Sequence, residues 1–316
     1  MRAAVIDEFG SSSNLDVRDI PKPAIGPEQI LVEIHAASVN PIDWKIREGT
    51  MAMRYGEEFP MVLGLDASGV VAEVGEAVSN FSVGDPVYAR SDNGPGRCYA
   101  EYVALNPATV APKPEQLSHV EAAAMPLAAL TPLYGLRDCG RIEAGDRILL
   151  IGASGGVGIF ATQVAKNFGA HVTAVCSGRN ADLVRELGAD EVIDYTTEDV
   201  LRDGDRYDII YDAIGSLDLE AAQASLAEGG VYLTLVPIPG IDFFIPGQTQ
   251  RETGKGYFVA WTPHAKDLEF LSGWVGEGKL RPVIDSEYPL EQIREAHERS
   301  ETLRAVGKII IRVRDD

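Results

Sequence analysis

The stretch DRILLIGASGGVGIFATQVAKNFGAHVTAVCSGRN, residues 146–180, decides the fold of this chain. Ile148 to Ile151 is an unbroken apolar run, as expected of a strand that is covered on both faces in a parallel sheet. A glycine-rich turn follows, then apolar residues at helical spacing from Gly156 to Phe168, and then a second apolar run from His171 to Cys176. This order predicts a βαβ unit with two parallel strands.

The turn between the first strand and the helix predicts a dinucleotide site. Ala153-x-Gly155-x-x-Gly158 stands where G-x-G-x-x-G is usual, with alanine at the first position. It has the strand before it and the helix after it that the motif requires. Glycine lets the backbone approach a pyrophosphate, and N–H groups at the helix N-terminus point at it. The alternative is an ordinary glycine-rich turn.

The residues after the second strand indicate which dinucleotide binds. An NAD enzyme carries a carboxylate there for the ribose 2′-hydroxyl, whereas an NADP enzyme carries a cation. The chain reads SGRN after Cys176 and has no acid before Asp182. The Ser177 hydroxyl and the Arg179 guanidinium suit a 2′-phosphate, so NADPH is the predicted cofactor. The alternative for Arg179 is a solvated residue at the start of a helix.

Composition and charge exclude several classes of function. The chain has 316 residues, enough for two domains with cores, and a net charge of −20, which disfavours DNA, RNA and anionic membranes as partners. Cys98, Cys139 and Cys176 are isolated, so they predict neither a disulfide framework nor a CxxC zinc site. The sequence has no membrane-spanning run, and MRAAVIDEFG at its start lacks the features of a signal peptide. A cytoplasmic protein is therefore expected.

Two kinds of segment predict two domains. Residues 1–125 contain short β-prone segments separated by proline- and glycine-rich turns. Residues 126–264 alternate strands and helices, as is typical of a doubly wound parallel sheet, and residues 265–316 supply a strand, a helix and a strand that pack back on the first domain. The predicted fold class is α/β, with a β-rich domain at 1–125 and 265–316 and a dinucleotide-binding domain at 126–264.

Three segments carry predictions of their own. Ser118 to Gly140 is predicted as one helix, which Ser118 and Glu121 cap and which prolines kink or break. Ser216 to Leu226 is predicted as a further helix. The strand that contains Ile30 and Ile34 is predicted to be half-buried, with His35 on its solvated face.

Taken together, these residues resemble a known family over nearly the whole chain. The matching pieces are VNPIDWKIREG (39–49), PMVLGLDASGVVAEVG (60–75), VGDPVYA (83–89), YAEYVAL (99–105), AAAMPLAALTPLYGL (122–136), the GASGGVG turn and GKIII (307–311). The chain resembles a zinc-free medium-chain dehydrogenase/reductase, in the branch of NADPH:quinone oxidoreductases and alkenal or enone reductases. The resemblance implies a GroES-like β domain, a Rossmann domain and an active site in the cleft between them.

Zinc ligands are missing at the positions that the resemblance aligns with them. The alcohol dehydrogenases of the superfamily hold zinc with a Cys, a His and a further Cys or acidic residue, and a catalytic zinc needs three protein ligands. The aligned residues here are Asn40, Leu65 and Leu127, and leucine cannot bind zinc. A zinc alcohol dehydrogenase is therefore the least favoured alternative.

Without a metal, the chemistry suits an electrophile that accepts hydride readily, such as a quinone or an α,β-unsaturated carbonyl. Lys45 and Asn40 are expected to stabilise the developing oxyanion or to hold the cofactor. A lysine at position 45 resembles the alkenal reductases more than the quinone reductases, which usually have tyrosine there. The alternative for Lys45 is a solvated side chain, and Tyr55 is a second candidate donor.

The resemblance also implies the remaining cofactor contacts. These are Lys45 and Thr131 at the nicotinamide, Ser154, Gly155, Gly156 and Val157 at the pyrophosphate, Tyr195 at the 2′-phosphate and adenine, Ile214 in the cofactor groove, and the Phe258 backbone with Lys308 at the nicotinamide end. The proline- and glycine-rich segment 237–255 is expected to be a loop near the active site or at a subunit contact. A homodimer joined through the Rossmann sheet is expected. The alternative function is an NADPH-binding redox sensor or structural protein with little turnover.

Overall fold

The computed structural model describes residues 1–236, 242–243, 257–258 and 263–314. The chain forms two compact units, unit 1 (Met1–Leu130 and Thr262–Asp316) and unit 2 (Thr131–Trp261). The sequence predicts these divisions at 125/126 and 264/265. Most of the predicted loop at 237–255 lies outside the described residues.

Unit 1 is a β-rich unit whose sheets are mainly antiparallel. Its strands are β1 (Arg2–Ile6), β2 (Asp16–Asp19), β3 (Ile30–Val39), β4 (Met61–Val62), β5 (Asp66–Val74), β6 (Pro86–Arg90), β7 (Tyr102–Leu105), β8 (Val110–Pro112), β16 (Ile284–Pro289) and β17 (Lys308–Arg312). Its helices are α1 (Pro41–Arg47), α2 (Ala52–Tyr55), α3 (His119–Ala123), α8 (Ala265–Gly276) and α9 (Ile293–Glu301), and α4 (Pro126–Leu133) leads the chain into unit 2. The larger sheet has the order β16-β17-β3-β5-β6-β8, with β7 also on β3, and the smaller has the order β2-β1-β4.

β3 is buried on both faces, so the prediction of a half-buried strand is wrong. Ile30 and Leu31 have side chains on opposite faces of the strand, and both are fully buried. His35 is half-buried rather than solvated, because its ring stacks 4.4 Å from the ring of His119 on α3. The alternation of residue types predicts one covered face, but other parts of unit 1 cover both faces of this central strand.

Unit 2 is a doubly wound sheet, and all pairs between its described strands are parallel. Its elements are β9 (Arg147–Ile151), α5 (Gly158–Asn167), β10 (His171–Cys176), α6 (Ala181–Glu186), β11 (Glu191–Asp194), β12 (Tyr207–Asp212), α7 (Leu219–Ala224), β13 (Leu226–Thr234), β14 (Asp242–Phe243) and β15 (Tyr257–Phe258). The strand order β11-β10-β9-β12-β13-β15-β14 confirms the predicted fold class. The order reverses between β9 and β12, and ligands bind such sheets at the carboxyl ends of the strands beside the reversal.

Two predicted helices differ from the structure in extent. The segment after Ser118 is α3, then α4, then a π-helical turn at Tyr134–Cys139, because Pro126 starts a new helix and Pro132 disturbs its end. The Ser118 capping box forms as predicted. α7 is shorter than predicted, because Leu226 pairs with Tyr207 and already belongs to β13. Within the described ranges, every helix is too short or too polar to traverse a lipid bilayer.

Candidate active site

The turn after β9 presents backbone amides at the start of α5. α5 begins at Gly158 with Val157 as its N-cap, and the first N–H groups of a helix have no partner inside it. A Cβ on Gly158 would lie 2.1 Å from Gly152 O, so only glycine lets the helix approach β9 this closely. Amides held in this way suit a pyrophosphate, so the turn fits the predicted cofactor. The predicted pyrophosphate contacts within it are Ser154, Gly155, Gly156 and Val157.

Asn180 joins this turn to the residues that follow β10. Its side-chain Nδ2 donates hydrogen bonds to Ser154 Oγ at 3.0 Å and to Ser177 Oγ at 3.3 Å. Its backbone N–H donates to Ser177 O at 2.8 Å. Ser177 is half-buried, and the neighbouring Arg179 is exposed. The predicted pyrophosphate and 2′-phosphate residues of unit 2 are therefore linked by a side chain to which the sequence analysis gave no role.

Asp194 brings a carboxylate to the same edge of the sheet. It ends β11, where it is in register with Cys176 at the end of β10. It accepts hydrogen bonds from the Thr196 hydroxyl at 2.7 Å and the Thr196 amide at 3.0 Å, and these bonds, with one from the Gly178 amide, hold the pKa of Asp194 below its usual range. A Cβ on Gly178 would lie 2.3 Å from Asp194 Oδ2. The carboxylate thus braces the loop that carries Ser177 and Arg179.

Asp212 organises the loop after β12. This fully buried carboxylate accepts hydrogen bonds of 2.7 to 3.1 Å from four successive backbone amides and one of 3.0 Å from a phenol. The donors are Ile214, Gly215, Ser216, Leu217 and the Tyr232 hydroxyl. Ile214 is 56% exposed. Its Cγ1 packs so close to Gly152 that a Cβ atom added at that glycine would lie only 2.8 Å away. Ile214 therefore lies against the glycine turn, where the strand order reverses.

The other residues predicted to bind the cofactor from unit 2 differ in exposure. Tyr195 follows β11 and is 47% exposed, whereas Thr131 is buried. The backbone of Phe258 belongs to β15, which pairs with β13 and β14. The roles assigned to these three residues stay predictions.

A buried polar network in unit 1 contains two of the predicted site residues. Asn40 Nδ2 donates to Asp66 Oδ2 at 2.9 Å, and Asn40 Oδ1 accepts from Lys308 Nζ at 2.5 Å. Lys308 Nζ also lies 4.0 Å from Asp66 Oδ2. All three side chains are buried, so Lys308 is not a solvated strand residue. The Asn40 amide faces inward and orients both charged groups.

Asp43 lies beside this network. Its Oδ2 accepts from the backbone N–H of Asn40 and from the Tyr99 hydroxyl, each at 2.8 Å, and Asn40 is the N-cap of α1. Burial raises the pKa of Asp43 to about 7, although these hydrogen bonds oppose the shift. Burial also raises the pKa of Asp66 and lowers that of Lys308, while the attraction between the two charges opposes both shifts.

The three positions aligned with zinc ligands meet at Asp66. Asn40 binds its carboxylate, Leu65 precedes it in the chain, and the backbone amide of Leu127 donates to Asp66 Oδ1 at 2.9 Å. Among the described residues, no group of three or more His, Cys, Asp or Glu side chains is placed to hold a metal ion. Two of the three positions that in a zinc enzyme would carry ligands are therefore joined by hydrogen bonds to one carboxylate, and the third lies next to it in the chain.

Lys45 lies outside this network, on the last turn of α1. Its side chain is half-buried, and its Nζ lies 5.6 Å from the centre of the Trp44 ring. In the part of the chain that the structure describes, no carboxylate pairs with this ammonium. Tyr55, the other candidate donor, ends α2 and is also half-buried. Among the described residues Lys45 is thus a cation without a salt bridge, whereas Asn40 is held by two partners.

Sequence reasoning missed four residues that organise these sites: Asp66, Asn180, Asp194 and Asp212. Asp66 stands in the quoted piece at 60–75 and Asp212 ends the apolar run of β12, and an acid beside such apolar residues is a signal that could have been used. Asp194 could not be found by searching the residues after β10, because it arrives from the neighbouring strand. Asn180 lies within the SGRN segment, but its contact with Ser154 depends on how the two loops pack.

Comparison with known proteins identifies the family. Residues 26–115 match the alcohol dehydrogenase GroES-like domain, and residues 187–311 match the zinc-binding dehydrogenase family model. The chain is 36% identical to the mitochondrial NAD(P)H oxidoreductase RTN4IP1 of Mus musculus, over 99% of this chain and 89% of that one. It is 35% identical to the 2-methylene-furan-3-one reductase of Solanum lycopersicum, over 98% of this chain and 79% of that one.

A solved structure agrees with this assignment. The quinone oxidoreductase from Coxiella burnetii superposes with a TM-score of 0.88 at 33% sequence identity, and the match covers 99% of each chain. The predicted resemblance is confirmed by sequence and by fold. The chain therefore belongs to the medium-chain dehydrogenase/reductase superfamily, in the quinone oxidoreductase branch.

Proposed function

We propose that the protein is a zinc-independent, NADPH-dependent oxidoreductase that transfers hydride to a quinone or to the C=C bond of an α,β-unsaturated carbonyl. The observation that carries this proposal is the network at Asp66. Asn40 binds this carboxylate, and Lys308 binds Asn40 and lies beside the carboxylate. Leu65 and Leu127, which align with zinc ligands, have side chains that cannot bind a metal. A Lewis acid is not needed when the acceptor is already conjugated.

The proposed cofactor is NADPH, which supplies the hydride when it is bound. The glycine turn with Ser154 would hold the pyrophosphate, and Ser177 with Arg179 would hold the 2′-phosphate. Asp194 does not argue for NADH, because its carboxylate already accepts hydrogen bonds from Thr196 and Gly178. Related proteins named NAD(P)H oxidoreductase support a nicotinamide cofactor without deciding between the two forms.

Lys45 is the proposed donor to the substrate. As the carbonyl oxygen of an enone or quinone gains negative charge, an ammonium without a salt bridge can stabilise it. We assign Asn40 a positioning role instead, because its amide is buried and bound to Asp66 and Lys308. Relatives with quinone and enone names support both acceptor classes, and lysine at position 45 favours enones.

The deciding experiment follows NADPH oxidation against a panel of acceptors, with NADH and a chelator as controls. The panel contains 1,4-benzoquinone, 9,10-phenanthrenequinone, acrolein, 2-nonenal, methyl vinyl ketone and a saturated aldehyde. Chelator-insensitive turnover of quinones or enones, with NADPH preferred and the saturated aldehyde ignored, is the expected result. Binding of NADPH without turnover of any acceptor would favour a redox sensor, and metal-dependent oxidation of alcohols would overturn the proposal.

Two further parts of the proposal concern the protein in the cell. We propose a cytoplasmic homodimer with a small-molecule substrate and without nucleic acid or membrane partners, as the acidic charge favours. Light scattering after size-exclusion chromatography tests the dimer. Cell fractionation tests the location, which matters because one relative is named as mitochondrial.

A further inference from the structure

Asn180 bridges two loops that are distant in the sequence of unit 2. Its Nδ2 lies 3.0 Å from Ser154 Oγ, in the glycine turn after β9, and 3.3 Å from Ser177 Oγ, at the end of β10. Asn180 is also the last residue of the short 3₁₀ turn that carries Arg179, and it is the N-cap of α6. One amide group therefore touches a hydroxyl in each of the two loops.

The direction of these hydrogen bonds follows from chemistry. A side-chain NH₂ group has two hydrogens and accepts nothing, so Ser154 Oγ and Ser177 Oγ must both act as acceptors toward Asn180. A serine hydroxyl that accepts one bond still has its own hydrogen to donate. Both hydroxyl hydrogens are thus left for a partner other than Asn180, and a phosphate oxygen is a strong acceptor.

We propose that Asn180 is a positioning and specificity-determining residue of the cofactor site. It keeps the Ser154 and Ser177 hydroxyls as donors, the first toward the pyrophosphate and the second toward the 2′-phosphate. This inference rests on the proposed function. It predicts that Asn180 strengthens the binding of both NADPH and NADH through Ser154, and the binding of NADPH alone through Ser177.

The surroundings of the loop support this role. On its other side, the Gly178 amide donates to Asp194, so the segment is fixed from two directions. Arg179 between them is exposed and can supply positive charge to the phosphate. The loop therefore combines an exposed charged group with two hydroxyls whose oxygens accept from Asn180.

The test compares Asn180→Asp and Asn180→Ala with the wild type, measuring Kd for NADPH and for NADH by fluorescence titration. Aspartate has almost the same shape, but its oxygens accept hydrogen bonds, so it turns the serine hydrogens away from the cofactor and adds a negative charge. We expect the NADPH Kd to rise by about thirtyfold for Asn180→Asp and by about fivefold for Asn180→Ala, with smaller changes for NADH. Thermal unfolding of each variant reports whether the fold is intact.

Double variants test whether Asn180 acts through the serines. If it does, the double variant Asn180→Ala/Ser177→Ala raises the Kd for NADPH by less than the product of the two single fold-changes. For NADH, the fold-changes in Kd of the two single variants should simply multiply. Ser154→Ala should be coupled to Asn180→Ala for both dinucleotides. Additive effects, or equal losses for NADPH and NADH in Asn180→Asp, would overturn the inference. If the wild-type protein binds only NADH, the proposed cofactor and the role of Ser177 are both refuted. The role of Asn180 through Ser154 would still be decided, by measuring NADH binding to Ser154→Ala, Asn180→Ala and the double variant.

Discussion

Lys308 Nζ lies 4.0 Å from Asp66 Oδ2, with the two side chains 3% and 0% exposed. The pair is completed by the Asn40 amide, which donates to Asp66 and accepts from Lys308. Burial of an ion pair costs solvation free energy that its mutual attraction only partly offsets, so each charge depends on the other.

Removal of one partner should be more harmful than removal of both. Lys308→Met leaves Asp66 as a buried charge without its cation, and we expect a loss of about 3–5 kcal/mol in the free energy of unfolding, measured by chemical denaturation. The double variant Lys308→Met/Asp66→Asn should recover part of that loss. Lys22→Met, which breaks the exposed pair with Glu73, is the matched control and should change little. Equal effects of Lys308→Met and Lys22→Met would contradict the assigned pairing.

Asp43 should make stability fall as pH rises. Its pKa is raised from 3.8 to about 7 in the folded protein, so between about pH 4 and pH 7 the folded state binds more protons than the unfolded state. Stability is therefore lost as pH rises through this range. Asp43→Asn keeps an oxygen that can accept from the Tyr99 hydroxyl, but it removes the carboxyl group that titrates.

We expect Asp43→Asn to lose less stability than the wild type between pH 5 and pH 8, by on the order of 1–3 kcal/mol. Chemical denaturation at each pH measures this difference. Buried His297 acts in the opposite sense, since burial lowers its pKa from 6.5 to about 3 and its contribution rises with pH over that range. Because His297 is present in both proteins, its effect cancels in the comparison. Parallel pH profiles would show that Asp43 does not titrate there.

Asp212 should control cofactor affinity through the loop that carries Ile214. Asp212→Asn keeps the size of the side chain but replaces one acceptor oxygen by an NH₂ donor. Some of the backbone amides of the loop, such as those of Ile214 or Ser216, then lose their hydrogen-bond acceptor. We expect the Kd for NADPH to rise by about tenfold. Asp218→Asn is the matched control, because Asp218 only caps the exposed start of α7. NADPH titration of both variants measures the effect, and similar affinities would remove the link from Asp212 to the site.

Ser177 and Arg179 should decide the preference for NADPH. Arg179→Gln combined with Ser177→Ala removes the proposed 2′-phosphate donors, and we expect kcat/KM with NADPH to fall by about a hundredfold while the value with NADH changes little. Arg185→Gln on α6, whose side chain pairs with Asp182, controls for a change in surface charge. A parallel fall for both cofactors would show that these residues do not read the phosphate.

Lys45 should act on the chemical step. Lys45→Met keeps the aliphatic stem and removes the ammonium, and we expect kcat with an enone to fall by about a hundredfold. Lys45→Arg is the matched control, and it should retain part of the rate because it keeps the charge. Steady-state kinetics at saturating NADPH separates this effect from cofactor binding. An unchanged kcat with a raised KM for NADPH would assign Lys45 to the cofactor instead.

The amino-acid sequence by itself determined the βαβ unit, the glycine turn, the capping box at Ser118 and the family. These features are visible because helix and strand periodicity, turn chemistry and caps depend on residues close together in the chain. The bounds of β10 at His171–Cys176 agree with the prediction for this reason.

Only the tertiary structure decided which polar groups meet. Lys308 binds Asn40 across 268 positions of the chain, and Asp194 reaches the loop after β10 through the register of two parallel strands. Strand order and register depend on how whole elements pack, and no local pattern encodes them. For the same reason, only the structure shows that Asn40 is a buried link between Asp66 and Lys308 and that Asn180 is a bridge between two serines.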